Sequence, residues 1–218
     1  MKRLVIVAGS AVVLGLTACG GGGSTTSTSP SAEASSSQIA PADLQTYTSD
    51  QFGYSFQYGK PFEINSDAKL DAQTDKGAAE TTAVFDTSGS QVDGQYRDAF
   101  MVSVYPLNAT IDESNIDQVA TELEQNVLPQ LQKSSDNLQY GDLTSTDVNG
   151  VPGYQVDATF DVGSTPMKTT LYFLFDGSTE YQLLTQATAD NWDALQPDFE
   201  QMVNSFTVSP AGASPAAS

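Results

Sequence analysis

The sequence predicts an α+β fold in which an antiparallel β-sheet is sandwiched by helices. Several segments show the two-residue alternation of β-strands, and two segments with helical spacing of apolar residues lie among them. The pair Asn149-Gly150, between two strand-like segments, is a strong signal for a two-residue β-hairpin turn. Strands joined by such turns pair antiparallel, and amphipathic helices can then cover the faces of the sheet.

Strict alternation makes one strand the best-defined element of the amino-terminal half. This strand follows a short one at residues 47–49, and its aromatic side chains share one face: Phe52, Tyr54, Phe56 and Tyr58. Two further strands are predicted at residues 81–85 and 99–105, with polar loops at 64–80 and 86–98. Aromatic residues on one strand face usually pack beneath a helix, so we expect these four in the core. The alternative is that they line a ligand-binding cleft together with Phe62.

A helix is predicted over residues 111–133. Ser114 can cap it, and Asp117 lies three residues further on, as in a capping box. Apolar residues recur at spacings of three and four and define one stripe: Ile116, Val119, Leu123 and Val127. Pro129 has no backbone N–H group and should therefore end or kink this helix.

Strands dominate the rest of the domain. They are predicted at residues 138–148, 151–162, 166–175 and 181–187, and a turn at Asp176-Gly177 separates the last two. A closing helical segment starts near residue 190 and carries an apolar stripe that we expect in the core: Trp192, Leu195, Phe199, Met202, Val203 and Phe206. Because proline fits best at the first helical position, the helix proper is predicted to begin at Pro197.

Residues 1–18 have the features of a secretory signal. Lys2 and Arg3 form a positive region, and the apolar run after them, of about 13 residues, is too short to span a bilayer. The segment Leu16-Thr17-Ala18-Cys19-Gly20 resembles a bacterial lipobox. This resemblance implies that Cys19 is lipidated and becomes the mature amino terminus, anchored to the extracytoplasmic face of the plasma membrane. The alternative is an ordinary signal peptide with a stray cysteine.

Shifts in composition divide the mature chain. Residues 19–44 are rich in Gly, Ser and Thr and are typical of a flexible linker, with a reach of roughly 28 Å. Residues 45–208 form a single predicted domain, which is large enough to bury one core. Residues 209–218 have the composition of a disordered tail.

Charge and residue types exclude several classes of function. Once residues 1–18 are removed, 27 acidic and 6 basic side chains remain, a net charge of −21. Nucleic-acid binding needs a basic surface, which this chain does not have. The absence of histidine and the single cysteine exclude a Ser-His-Asp triad, a His-ligated zinc site and an intrachain disulfide framework. We therefore predict a protein that is not an enzyme and has no cofactor, whose charge favours basic proteins or cations.

Two aspartates are the best candidates for catalysis. Asp157 and Asp161 alternate with apolar residues and should share one strand face, as in the carboxylate pair of a glycoside hydrolase. A two-residue turn at Gly163-Ser164 would place Lys168 opposite Thr159 and diagonal to both aspartates. The alternative, which the abundance of acidic residues favours, is a solvated face with a weak ion pair.

The polar loops carry oxygen ligands of the kind that calcium prefers. They are Asp67, Asp71, Asp75, Glu80, Asp86, Asp93 and Asp98. Their spacing does not match a calcium-binding loop. We therefore predict an acidic surface and no metal site, with a calcium site as the alternative.

Three segments together resemble PsbP-like domains. The strand Phe52-Gly53-Tyr54-Ser55-Phe56-Gln57-Tyr58 is similar to their opening F-x-Y/F-x-Y-P strand, although the proline is displaced to Pro61 and Pro61-Phe62 stands where glycine-tryptophan is usual. The segment Val148-Asn149-Gly150-Val151-Pro152-Gly153-Tyr154 resembles their G-x-P-G/A hairpin. The end, Phe199-Glu200-Gln201-Met202-Val203-Asn204-Ser205-Phe206, resembles their closing helix and S-F exit. The resemblance implies an α/β/α sandwich, as in actinobacterial lipoproteins of the LpqN type, with no catalytic residues.

The predicted function is that of a lipid-anchored cell-envelope protein. Its domain would present a binding or scaffold surface for protein–protein interaction, with an unidentified envelope protein as partner. The alternative is a carrier for an apolar or amphiphilic envelope ligand. An exposed apolar groove would favour the carrier, and a closed core with an acidic or aromatic surface patch would favour the adaptor.

Overall fold

The computed structural model describes residues 43–64, 77–89 and 91–209. The predicted signal, Cys19, the linker up to residue 42 and the tail from residue 210 lie outside these described residues. The strands are β1 Gln45–Thr48, β2 Tyr54–Tyr58, β3 Phe62–Ile64, β4 Glu80–Asp86, β5 Gln91–Val92, β6 Gln95–Tyr96, β7 Ala99–Ile111, β8 Gln139–Tyr140, β9 Thr144–Val148, β10 Val151–Val162, β11 Thr165–Thr188 and β12 Thr207–Val208. The helices are α1 Ile116–Glu122, α2 Leu128–Ser134 and α3 Trp192–Ser205, and a π-helical segment, Leu123–Val127, joins α1 to α2.

The main sheet is antiparallel, with the strand order β3-β4-β7-β11-β10-β8, and β9 also pairs with β10. The long segment β11 folds back on itself as a hairpin. The Ala189 N–H, just after its end, donates to the carbonyl of Pro166, near its start, at 2.9 Å. A left-handed Gly177 (φ +60°) lies at the predicted turn between its two halves. A second sheet, β1-β2-β12, and the hairpin β5-β6 complete the described strands.

The main sheet is covered on both faces, which confirms the predicted α+β sandwich. One face packs against α3 and the small β1-β2-β12 sheet, and its core includes Phe56, Phe100, Leu183 and Met202. The other face packs against α1 and α2, where Val119 and Leu131 are among the buried helix residues. The fold therefore has two apolar layers, one on each side of a single sheet.

Several elements follow their sequence signals closely. Strand β10 has the predicted bounds, whereas β2 begins only at Tyr54, because the left-handed Gly53 (φ +67°) leaves Phe52 in the preceding turn. Asn149 (φ +52°) and Gly150 (φ +86°) both adopt the left-handed conformation that a type I′ hairpin turn requires. The register of β10 and β11 places Thr159 opposite Lys168, as the two-residue turn at residues 163–164 predicts.

The mid-chain helix begins later than predicted. Ile111 is the last residue of β7, and α1 starts only at Ile116. Ser114 does not cap the helix, because its N–H and hydroxyl both bond to the Asp112 side chain in the preceding turn. Local side-chain hydrogen bonding of this kind competes with helix formation and delays the start.

Pro129 does not end the helical segment, which continues without interruption from Ile116 to Ser134. The chain instead widens in the π-helical segment, and the Leu128 N–H bonds to the carbonyl of Leu123, five residues earlier. This places Pro129 in the first turn of α2, where its missing N–H group does no harm.

Two further boundaries differ from the sequence prediction. Helix α3 begins at Trp192 and contains Pro197, so the prediction that it starts at Pro197 was wrong. The loss of one hydrogen bond in the second turn is outweighed by the apolar stripe that starts in the first turn. The strand predicted over residues 138–148 is split into β8 and β9, because the pairing with β10 shifts by one residue between Tyr140 and Thr144, as in a β-bulge.

Candidate binding groove

An open groove lies beside α3, where the main sheet extends past the helix. Its volume is about 650 Å³, and its floor is the face of β10 and of the first half of β11. The floor side chains are Gln155, Asp157, Thr159, Lys168, Thr170 and Tyr172. Helix α3 forms one wall, and Gln139 and Tyr140 on the edge strand β8 also line the groove.

The polar floor follows from the alternation of β10. Val156, Ala158, Phe160 and Val162 are buried against α1 and α2. The intervening polar side chains must therefore point to the α3 side of the sheet. The structure thus confirms that the aspartates of β10 share one strand face, although it does not bring them together in one site.

The two aspartates have different partners. The Thr170 hydroxyl donates to Asp157 at 2.6 Å, inside the groove. The Asn137 side-chain amide donates to Asp161 at 2.7 Å, and Asp161 does not line the groove. Each carboxylate is therefore held by a neutral donor at a separate position.

Lys168 forms the ion pair of the groove, but not with either aspartate of β10. Its Nζ lies 3.5 Å from an oxygen of Asp193, in the first turn of α3. Because the Asp193 side chain is 88% exposed, this is a solvent-screened pair at the mouth of the groove.

The wall and floor also carry aromatic rings. Trp192 and Phe199 lie on α3 with ring centroids 5.8 Å apart, and Tyr172 is half-buried in the floor. Burial, with smaller contributions from the charges of Asp157 and Glu200, raises the pKa of Tyr172 to about 12. The phenol therefore stays uncharged at neutral pH and sits in the negative potential of both carboxylates.

The strand-face aromatics lie elsewhere. Tyr54 and Phe56 are fully buried and Tyr58 is nearly so, while Phe52 packs against the same core. The ring centroid of Phe56 is 5.0 Å from that of Phe100 on the main sheet. None of the four lines the groove. This placement agrees with the expectation that these four residues lie in the core, and ligand binding by them stays a prediction.

The polar environment around Asp98 is the other notable set of acidic groups. Asp98 is fully buried and accepts hydrogen bonds from the Thr188 N–H and the Asn191 side chain, both at 2.7 Å. Burial, the largest effect, raises its pKa, and the nearby charge of Asp86 adds to this. Asp86 in turn accepts two bonds from Ser88. Within the described ranges, no group of three or more acidic side chains is arranged to hold a metal ion. Asp67, Asp71 and Asp75 of the predicted acidic loops lie outside those ranges.

The polar floor of the groove was predictable from the sequence, whereas its wall on α3 was not. Trp192 was predicted as core, and it does pack against the core, yet it also lines the groove. Gln196 and Glu200 complete this wall and bond to each other at 3.0 Å. Their i, i+4 spacing was visible in the sequence. Nothing in the sequence, however, indicated that α3 leaves β10 uncovered.

Comparison with known proteins identifies the fold. A PsbP family model matches residues 42–208. The structure is similar to the solution structure of cyanobacterial PsbP (CyanoP) from Synechocystis sp. PCC 6803, with 14% identity, a TM-score of 0.50, and coverage of 79% of this chain and 96% of that one. It is also similar to the crystal structure of LpqN, involved in cell envelope biogenesis of Mycobacterium tuberculosis, with 11% identity, a TM-score of 0.52, and coverage of 77% and 92%.

At these identities the structural likeness shows the fold alone. No curated protein matches the sequence. In the part of the chain that the structure describes, no helix is long and apolar enough to cross a membrane. The family model, in contrast, matches well over half of the sequence and agrees with the α+β sandwich observed. The chain belongs to the PsbP family.

Proposed function

We propose that this protein is a membrane-tethered, non-catalytic binding domain of the cell envelope, and that the groove beside α3 receives a partner protein. Lipidation of Cys19 and the linker of residues 19–44 would hold the domain outside the plasma membrane, at a distance of up to tens of ångströms. The strong negative charge would keep it away from anionic lipid headgroups.

The observation that carries this proposal is the contrast between a closed core and an open, polar and aromatic groove. Both apolar layers of the sandwich are filled by packed side chains. The groove instead combines hydrogen-bonding groups on its floor with aromatic rings on its wall. Such a lining suits a partner that brings its own polar groups.

A non-catalytic role is supported by the arrangement of the acidic residues. Glycoside hydrolysis needs two carboxyl groups that flank one reacting bond. Asp157 lies in the groove and Asp161 is bonded to Asn137 outside it. The pair singled out in the sequence is therefore not arranged as a catalytic pair.

The test is site-specific photo-crosslinking in intact cells. A photoreactive amino acid at Thr159, an exposed position on the groove floor, should capture a discrete envelope protein. The matched control is the same amino acid at Thr121, an exposed threonine on α1 on the opposite side of the sheet. Equal capture from both positions, or none from Thr159, would contradict the proposal.

The aromatic wall supports a second candidate, a carrier for an amphiphilic ligand. Native mass spectrometry of the full mature chain with Cys19→Ser, purified without detergent, separates the two functions. A stoichiometric added mass that organic extraction removes would favour the carrier. A mass equal to that of the polypeptide, unchanged after incubation with envelope lipid extract, would favour the protein-binding function.

A further inference from the structure

The groove has an excess of negative charge that its own lysine does not balance. Lys168 is paired with Asp193 at the mouth. In the described part of the chain, Asp157 accepts a hydrogen bond from the Thr170 hydroxyl and Glu200 accepts one from the Gln196 amide, both of them neutral donors. Among the described residues, neither carboxylate lies within ion-pair distance of a basic side chain. The solvent-exposed lining of the groove therefore carries two carboxylates, Asp157 and Glu200, without a basic partner in this part of the chain.

Two aromatic rings border the same negative region. Tyr172 is half-buried in the floor, and both Asp157 and Glu200 act on its hydroxyl electrostatically. Trp192 is half-buried in the wall, with its ring close to that of Phe199. The faces of such rings attract cations, and the attraction is stronger where water is partly excluded.

Acidic and aromatic groups side by side select a particular kind of cation. A guanidinium group is planar, stacks on aromatic rings and donates two parallel hydrogen bonds to one carboxylate. An ammonium group can form the ion pair but lacks the planar face and the fork of donors. The lining of this groove therefore suits arginine better than lysine.

We propose that the groove binds an arginine side chain of an exposed segment on the partner protein, held by Asp157 and Glu200 and stacked on Tyr172 and Trp192. This rests on the proposed protein-binding function and specifies the chemistry of the partner. A second carboxylate or phosphate group would be repelled, so anionic lipids do not compete for the site. The volume of about 650 Å³ leaves room for the residues on either side of the arginine.

The chain contains its own probe for this interaction. Trp192 is the only tryptophan, so its fluorescence reports on the wall of the groove. The full mature chain with Cys19→Ser would be titrated with a blocked tri-arginine peptide. The controls are a tri-lysine peptide and a tri-citrulline peptide, the second of which keeps the shape of arginine without its charge. We expect a saturable change with tri-arginine, a weaker one with tri-lysine and none with tri-citrulline.

Substitutions at single charges give effects of opposite sign. Asp157→Asn and Glu200→Gln should each weaken tri-arginine binding by about fivefold. Lys168→Gln removes a like charge from the groove and should strengthen binding by a few-fold. Glu124→Gln changes an equally exposed carboxylate on the far side of the sheet and should leave the affinity unchanged. Urea midpoints for each variant show whether the fold is retained.

Two results would overturn the inference. Equal binding of tri-citrulline would show that charge is not recognised, and equal weakening by Glu124→Gln would show only non-specific attraction to an acidic protein. The crosslinking experiment separates these failures from that of the proposed function. A partner captured at Thr159 through a segment without arginine would leave protein binding intact and refute the arginine site.

Discussion

Asn149 is predicted to do two separate tasks, and one substitution can separate them. Its left-handed φ of +52° forms the turn between β9 and β10. Its side-chain amide also donates to the carbonyls of Asn204 and Phe206, at 2.7 and 2.8 Å. Asn149→Gly keeps the turn, because glycine adopts this φ freely, but it removes the link to the end of α3.

The magnitude follows from the two hydrogen bonds. A neutral hydrogen bond contributes about 1 kcal/mol net, and a carbonyl left without a partner near a buried residue costs more. Phe206 is fully buried, so its carbonyl has limited access to water. We expect Asn149→Gly to lower the free energy of unfolding by about 2 kcal/mol. For a domain of this size that corresponds to roughly 4–8 °C in Tm.

The assay is urea unfolding followed by circular dichroism, with Asp93→Gly as the matched control. Asp93 has a φ of +53° and precedes a left-handed glycine in the β5-β6 turn, so both variants change the same backbone entropy. We expect Asp93→Gly to change stability by less than about 0.5 kcal/mol. If the two variants had the same midpoint and slope, the link from Asn149 to α3 would contribute nothing, and our reasoning would be refuted.

Three further predictions concern packing, pH and the anchor. Gly153→Ala should prevent folding or lower the free energy of unfolding by more than about 3 kcal/mol, because the added Cβ would clash with the Phe173 carbonyl oxygen. Gly141→Ala is the control, because its Cβ would lie 3.7 Å from the nearest atom, and we expect it to be tolerated in the same urea assay. Burial raises the pKa of Glu180 to about 7 from 4.5, so the folded chain holds a proton that the unfolded chain loses between these values, and stability falls as the pH rises through that range. Glu180→Gln should accordingly be more stable than the natural chain at pH 8, by up to about 3 kcal/mol, and similar at pH 4, and equal urea midpoints at pH 8 would contradict this. Cys19→Ser should abolish lipidation and release the folded protein from the membrane fraction; intact mass spectrometry checks this, and a variant still membrane-bound would argue against the lipobox.

Patterns that depend on neighbouring residues were predictable from the sequence. The bounds of β10, its polar face and the pairing of Thr159 with Lys168 all follow from alternation and a two-residue turn. The α+β sandwich follows from the order of such elements. Strand alternation and turn type depend on backbone geometry over a few residues, so they can be predicted without knowing which distant residues they contact.

The errors occurred where distant or competing interactions decide the outcome. Asp112 draws Ser114 into a turn and so delays α1, although the sequence offers a reasonable cap. Pro197 is tolerated inside α3, because the first turn already contributes Trp192 and Leu195 to the core. The wall of the groove was missed for the same reason, since it depends on how far across the sheet α3 reaches.

The polar floor of the groove explains why α3 covers only part of the main sheet. Leu183 and Ala187, on the second half of β11, are apolar on the α3 side and are covered. The neighbouring first half of β11 and β10 present Lys168, Asp157 and Thr159 on the same side. Covering these groups with a helix would bury charges and leave donors unpaired, at a cost of several kcal/mol each. The same polar residues that would contact a partner therefore also disfavour a helix over this part of the sheet.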